Sequence, residues 1–502
     1  MSKKIFTVAI LGCGGRGAET YGRLIAERKD EYKIVALCDL IPEKLSKYGE
    51  LFGVGAENRF SDDDSFFAKK RADLLIIATL DADHVWQCKE ALRLGYDVLL
   101  EKPITDKEEE CRSLLAAQKK YGGKVLVCHV LRYAGAFRKV EELLKAGAVG
   151  RLVEIQALEQ VAYWHQAHSY VRGNWRRSED TSPMILAKCC HDLDLLQYYA
   201  GARCKSVSSM GDLTYFTSKN APEGAAKRCL KCRYIDTCPY SAKTIYIDEW
   251  EKKGCPENEW PYNVVTLAFP QTKKALTEAI ETGPYGRCVF ACDNDVVDHQ
   301  QVSMTFENGV KATLTMTAFT AGGGRIMRFF GTTGEIVLDE ARDTIEVKPF
   351  GKPMQTLRIG ALIESGYGHG GGDSGLIGKL YEVLSGEQQA VTSLEASVES
   401  HLMGIAAEKS RLSGGEQEGK ASKLLPEPVT IQLVKPDGTP AANVPVYFSV
   451  LSSPESKNTA RVLTPEAVTD DKGIASTQVR LGKKTGEYRV GVEVAGHQGL
   501  RG

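Results

Sequence analysis

An apolar run, Phe6–Leu11, leads directly into Gly12-Cys13-Gly14-Gly15-Arg16-Gly17. No other feature of the sequence narrows the fold as far, because G-x-G-x-x-G set between a strand and a helix allows only one backbone path. Gly12 makes the tight turn, Gly14 lets a pyrophosphate approach the main chain, and Gly17 permits close helix–strand packing. Gly15 and Arg16 complete the loop on the phosphate side, and the helix that follows offers amide donors and the positive end of its dipole. Asp39 ends the second candidate strand, Ile34–Cys38. A carboxylate there accepts hydrogen bonds from an adenosine ribose and repels a 2′-phosphate, and Leu40-Ile41 offer no cation. NAD is therefore expected rather than NADP. The bland alternative is a glycine-rich turn beside a surface aspartate.

Around this turn, short apolar runs alternate with amphipathic stretches up to residue 128. Candidate strands are Phe6–Leu11, Ile34–Cys38, Leu74–Ala78, Asp97–Leu100 and Val125–His129, with helices predicted between them. That alternation implies right-handed crossovers and a parallel, doubly wound sheet, an NAD-binding Rossmann domain over residues 1–128. Residues 129–420 read as an α+β domain, in which a strongly apolar helix, Pro183–Ala200, precedes β-rich segments and the helical stretch Gly375–Leu412. Residues 425–502 carry short strands separated by turns such as Pro436-Asp437-Gly438, the pattern of a small all-β sandwich. The overall fold class is α/β with these two additions.

Glu101-Lys102-Pro103 follows Val98–Leu100 at the edge of the sheet where ligands sit in such folds. An ammonium there could orient a substrate hydroxyl or lower its pKa; by spacing alone such a lysine is more often a surface residue. The helix starting at Ser182-Pro183 reads MILAKCCHDLDLLQYYAG, with Gly201 closing it. Lys188, His191, Asp192 and Asp194 sit inside its apolar wrapping, with 188, 191 and 192 on one stripe. Buried charge is costly unless paired, so the cluster is either a site with perturbed titration or a satisfied salt-bridge network.

The GCGGRG turn, Asp39, the segment IATLDADHVWQCKEALRLGYDVLLEKP and a later helix with a central histidine together resemble the Gfo/Idh/MocA oxidoreductases, over about residues 5–412. The resemblance implies NAD(P)-linked redox chemistry on sugars, polyols or their derivatives. It also implies a second domain with an open mixed sheet lining the substrate site, and sheets that pair into dimers or tetramers. It puts Thr79, His84, Glu101 and Lys102 on the cofactor side, with Thr79-Leu80 where many members have Asn-Pro. It assigns His191 as general base and matches Asp194, while the family's earlier aspartate is Ala187 here, beside Lys188. That departure suggests a variant in which Lys102, Lys188 and His191 surround the reacting hydroxyl. Two ammonium groups close together would favour a neutral amine as base.

Tyr163–Arg176 is dense in aromatic and hydrogen-bonding side chains. His165, His168, Arg172, Trp175 and Arg176 suit a polyhydroxylated ring, which needs stacking faces and directional donors, although a structural use fits the same residues. Asp192 and Asp194 are further substrate-side candidates. Asn294 and His299, in Cys292–Gln300, fit a substrate loop or an acidic loop equally. Tyr367–Asp373 is a glycine loop that either closes over substrate with His369 or caps a helix with Asp373.

Among 14 cysteines, Cys229-x2-Cys232-x5-Cys238 stands out, with Cys255 further on. The spacing fits a structural zinc site pinning an insertion without a core of its own; an iron–sulfur cluster and free thiols are the alternatives. DGTPAANVPVYFSV, VTDDKGIASTQVRLG and GEYRVGVEV resemble bacterial Ig-like domains of the invasin type, which act as spacers or interaction modules.

Lys+Arg 64 against Asp+Glu 65 leaves a net charge of -1, so no basic excess exists to hold nucleic acid. No run of 18 apolar residues is present, and the N-terminal apolar stretch is a better strand than signal peptide, so a soluble cytoplasmic chain without membrane partners is expected. These readings point to an NAD-dependent oxidoreductase acting on a sugar, cyclic polyol or glycoside, with no nucleic-acid partner. A glycosidase using NAD for transient ring-hydroxyl oxidation is the alternative, and a non-enzymatic sensor is a third class.

Overall fold

Strands of Val, Ile and Leu with no polar alternation build the first sheet of the computed structural model. It describes residues 3–268, 270–363, 368–413, 428–453, 460–481 and 488–494. The sheet comprises β1 (Phe6–Leu11), β2 (Tyr32–Cys38), β3 (Arg59–Phe60), β4 (Leu74–Ile77), β5 (Asp97–Leu100) and β6 (Val125–Val127). Every pairing is parallel, in the order β3-β2-β1-β4-β5-β6. β4 reads Leu-Leu-Ile-Ile and is buried throughout, because helices cover both faces and leave no solvent side. The strand order reverses between β1 and β4, which opens a crevice at the carboxyl ends of the strands.

The second sheet is antiparallel except for one pair. It runs β14-β13-β12-β11-β7-β10-β9-β8, with β7 (Leu152–Ala162) and β10 (Lys311–Thr320) parallel. The other members are β8 (Cys204–Asp212), β9 (His299–Phe306), β11 (Gly324–Gly331), β12 (Gly334–Asp339), β13 (Thr344–Pro349) and β14 (Gln355–Arg358). Along β9 and β10 buried and exposed positions alternate, as expected of a sheet with one face on the core. One hydrophobic core runs from Leu75 and Leu100 through Leu193 and Leu196 to Leu314 and Phe329. Residues 1–413 form one compact unit that holds both sheets, and 414–502 form another. The expected linker, Gly414–Lys420, lies outside the described residues.

Two local predictions are corrected. The single helix expected over Pro183–Ala200 is two, Met184–Ala187 and Cys190–Ala200, with Lys188 and Cys189 between them. The stretch from β8 to β9 also has a core of its own, including Phe216, Tyr240, Tyr246, Trp250, Tyr262 and Ile280. Second-unit strands Val429–Gln432 and Ile474–Thr477 pair antiparallel, as do Pro445–Ser452 with Glu466–Val468 and Arg489–Val494, around Val446, Phe448 and Ala475. Among the described residues no helix is long and apolar enough to cross a membrane.

Candidate active site

Gly12 has φ +91, and a Cβ there would run into the carbonyl of Ala78, the residue following β4, so only glycine fits. Added Cβ atoms on Gly14 and Gly15 would meet nothing within 4 Å, while one on Gly17 would collide with the Gly12 carbonyl. The turn is thus closed toward the sheet and open toward the crevice, which suits a pyrophosphate. Asp39 ends the second strand with one oxygen accepting from the Cys13 amide (2.7 Å) and the other from Ile41 (2.9 Å). A carboxylate has four lone-pair sites, so room for a ribose remains. Sequence reasoning missed Lys44, whose Nζ pairs with Asp39 at 3.6 Å, so a cation does stand here and the expectation of NAD over NADP rests on the Asp39 carboxylate alone. These residues fit NAD.

Arg16 has a different place from the one expected. Its guanidinium donates to Glu101 Oε1 (2.8 Å) and to both oxygens of Asp373 (2.6 and 3.3 Å), bracing the turn. Burial works against the Asp373 carboxylate, but Arg16 and His369 outweigh it and hold this carboxyl well below its usual range. His84 is likewise a brace: its ring nitrogens lie 2.7 Å from Pro103 O and 3.3 Å from Thr79 O, fixing the turn after Lys102. Thr79 donates to Gln87 at 2.6 Å. Glu101, buried, accepts from Tyr21 (2.8 Å) and the Lys102 amide (2.9 Å).

The helix break gives Lys102 its position. Its Nζ donates to the Ala187 carbonyl at 3.3 Å, at the point where the first short helix ends. His191, one residue into the next helix, is 6% exposed, and its Nδ1 has no hydrogen-bond partner. Burial, then Lys102, His129 and His369, push His191 well below the ordinary histidine range, so the imidazole is neutral near pH 7. The His129 and His369 rings each lie 5.8 Å from it. His369 is oriented by Asp373 at 2.9 Å. Tyr367 lies outside the described residues.

Lys188 pairs with Glu159 at 3.0 Å. Arg325 binds the same Glu159 (3.0 Å) and Asp192 (2.8 Å). Burial raises Asp192 to about 7 against the pull of Arg325. The expected pair of facing ammonium groups is therefore corrected to a buried network in which a carboxylate answers Lys188. Asp194 belongs to a second network, held by both forks of Arg132 at 2.7 Å, with His129 Nε2 3.8 Å away. His129, Glu159, Arg132 and Arg325 were not found from sequence; no motif marks them.

The Tyr163–Arg176 segment divides. Burial, then Lys188, His168 and Lys102, push His165 well below the ordinary histidine range. Its ring meets Trp164 at 5.8 Å and Trp260 at 5.0 Å. Trp175 Nε1 points at Asp81 (3.5 Å), beyond β4. The other expected substrate residues are placed elsewhere. His168 stacks on Tyr285 (4.8 Å) inside the insertion core, and Arg172 is fully buried there. Arg176 pairs with Asp293 (3.0 Å). Asn294 donates to Phe216 O (3.2 Å), and His299 leans on Asp298 (2.9 Å) at the start of β9. Short-range polarity suggested substrate contact at these five; each is instead held by insertion or sheet-edge partners. Cys255 is exposed, away from Cys229, Cys232 and Cys238, and among the described residues no three His, Cys, Asp or Glu side chains stand ready to hold a metal ion.

Residues 6–129 match the family model "Oxidoreductase family, NAD-binding Rossmann fold", and residues 137–227 match "GFO/IDH/MocA C-terminal domain". The second model carries the Gfo/Idh/MocA name, and the first is the NAD-binding fold of an oxidoreductase family of the same designation. The chain is 24% identical over 424 residues to the oxidoreductase YteT of Bacillus subtilis (strain 168), covering 77% of this chain and 93% of that one. It is 25% identical over 203 residues to 2,7-anhydro-N-acetylneuraminate hydratase of Mediterraneibacter gnavus, 40% of this chain and 51% of the relative. Among solved structures, a levoglucosan dehydrogenase in complex with NADH and levoglucosan is similar in fold at TM-score 0.59 and 16% identity, over 82% of this chain and 98% of that one.

Proposed function

We propose that this chain transfers hydride between NAD and a hydroxyl-bearing carbon of a sugar or cyclic polyol. The reading is supported most by Lys102, which donates to the Ala187 carbonyl where the first short helix ends, and by His191 near the start of the next helix, its buried imidazole held neutral by burial and by that ammonium. Bound NAD supplies the hydride acceptor, held by the Gly12–Gly17 turn and Asp39. Lys102 holds the reacting oxygen, and His191 takes the hydroxyl proton at a ring nitrogen. Asp192, Lys188, Glu159 and Arg325 form a fixed charged floor, and Trp164, His165 and Trp260 offer flat faces to a sugar ring. Water is excluded by the burial of both histidine and floor. The second unit is read as an Ig-like spacer, carrying none of this chemistry.

A redox-neutral variant has its own support. The crevice holds more proton-handling imidazoles than one hydride transfer needs, namely His129, His165, His191 and His369, and one relative is named a hydratase. In that reading, transient oxidation of a ring hydroxyl acidifies the neighbouring C–H, a leaving group departs by elimination, water adds, and the ketone is reduced again. Stoichiometry separates the two. The purified chain is incubated with NAD and a panel of free sugars, polyols and aryl glycosides, following NADH absorbance and product together. Net NADH formation with a free sugar or polyol supports the dehydrogenase, and glycoside cleavage without NADH accumulation supports the variant. No turnover of either kind on any panel member, with NAD binding intact, overturns both.

A further inference from the structure

Oxidation of a hydroxyl-bearing carbon releases a proton as well as a hydride. The hydride leaves for NAD, the hydroxyl proton goes to His191, and that proton must reach solvent before the next turnover. His191 is poorly placed to deliver it, being 6% exposed with a buried Nδ1 that has no hydrogen-bond partner. Burial and the Lys102 ammonium also disfavour an imidazolium there. The way out therefore runs through a neighbouring group.

Two imidazoles flank His191, each with its ring centre 5.8 Å away, and they lead to different ends. His129 is fully buried, and its far neighbour is His401, with ring centres 5.5 Å apart. His401 is fully buried too, and both its nitrogens are committed: Nδ1 donates to the Ser397 carbonyl (2.7 Å) and Nε2 accepts from the Ile104 amide (2.8 Å). A proton passed that way is stranded. His369 is placed differently. Its side chain is 39% exposed, and its Nδ1 lies 2.9 Å from the buried Asp373 carboxylate. An ionised carboxylate there keeps the hydrogen on Nδ1 and leaves Nε2 as the acceptor. His369 also holds φ +54, beside Gly370 (φ +61) and Gly371 (φ +85). Glycine takes that conformation more readily, so the imidazole itself is what position 369 supplies.

We propose that His369 carries the hydroxyl proton from His191 to solvent, a role that rests on the hydride-transfer reading. One nitrogen of the neutral His191 accepts the hydroxyl proton while the other gives up its own, which leaves the imidazole neutral again. His369 Nε2 takes the released proton, directly or through one water. The resulting imidazolium is held by Asp373, and its Nε2 proton then passes to solvent at the exposed ring. One proton enters this path and one leaves it, and reduction of a ketone runs the same path in reverse. His369 does not touch the reacting carbon; it acts through His191.

The test uses the full chain with NAD and a sugar or polyol that the wild type oxidises. His369→Gly suits the positive φ and opens a space for free imidazole. Its kcat is expected to fall about tenfold or more, with sugar KM and NAD affinity unaltered, and to recover severalfold when imidazole is added, which leaves the wild type unchanged. His369→Gln keeps a donor for Asp373 but relays no proton, so it is expected to be as slow as His369→Gly. Full kcat in either variant, no recovery with imidazole, or a rate loss matched by lost NAD affinity would each overturn the relay and leave the hydride-transfer reading standing. Diethyl pyrocarbonate needs no variant, so a chain that fails to fold does not protect the idea. Carbethoxylation of His369 in the NAD-bound wild type, located by peptide mass spectrometry, is expected to slow turnover in proportion; full turnover with His369 modified overturns the relay. A wild-type chain that oxidises no sugar or polyol, or a His191→Asn chain that loses no activity, overturns the reading and the relay together.

Discussion

In the proposed hydride transfer His191 takes the hydroxyl proton, and its burial would set the pH at which it works. Because it is held neutral well below its ordinary range, activity is expected to persist on acidification past pH 6.5 until the fold itself fails, rather than following the ordinary histidine titration. His191→Asn is expected to lower kcat by about 10²–10⁴ while leaving NAD affinity unaltered, measured by steady-state rates and a separate NAD titration. Arg325 is a test of another kind. Removing its charge leaves Asp192 and Glu159 buried side by side with Lys188 alone between them, so Arg325→Met is expected to cost about 3–5 kcal/mol in urea unfolding. Lys102 and His191 were legible because each stands in a local pattern, a strand end and an apolar helix. Arg325, Glu159 and His129 were not, because β11, β7 and the end of β6 bring them in from distant sequence, and such a pairing leaves no local mark.

At the scale of elements, the glycine turn and the broken helix carry most of the design. Gly12→Ala places a Cβ against the Ala78 carbonyl at a left-handed φ, which costs about 1–3 kcal/mol from the backbone alone. The expected result is at least a tenfold loss of NAD affinity by calorimetric titration. The turn could be read from sequence, since its glycines have no other common use after a strand. The helix break could not: apolar periodicity continues through Lys188 and Cys189, and only the Lys102–Ala187 contact shows why the winding stops. The insertion was misjudged for a related reason. Its aromatic residues are scattered over a long stretch, and they become a core only once Tyr246, Tyr262 and Tyr285 are folded together. Trp260, at its tip beside His165, is expected to act on substrate and not on cofactor. Trp260→Ala should raise the sugar KM about tenfold with NAD affinity unaltered, checked by varying each in turn.

For the molecule as a whole, buried histidines govern acid stability. Burial lowers His168 and His401 to about 3, and His129, His165 and His191 are also held well down. Each is neutral when folded but binds a proton near pH 6.5 when unfolded. The unfolded state therefore holds more protons below pH 6.5, and stability falls as pH drops toward the folded values. Each such histidine is expected to remove about 2 kcal/mol between pH 6.5 and 5, visible as a falling urea midpoint over that interval. A midpoint constant from pH 7 to 5 would contradict this. The division near residue 413 was readable from a shift in composition, whereas the unity of residues 1–413 was not, since it depends on a core shared between two sheets. That unity reaches the dinucleotide turn itself. Arg16 is clamped by Asp373, 357 positions away, and the Ile104 amide donates to His401, 297 positions away. On the ribosome, then, the amino-terminal half emerges long before its clamps exist. Tight cofactor capture must wait for the helix that begins at Gly372, so translation stalled short of that point yields a nascent chain with its strands made and its phosphate grip unset.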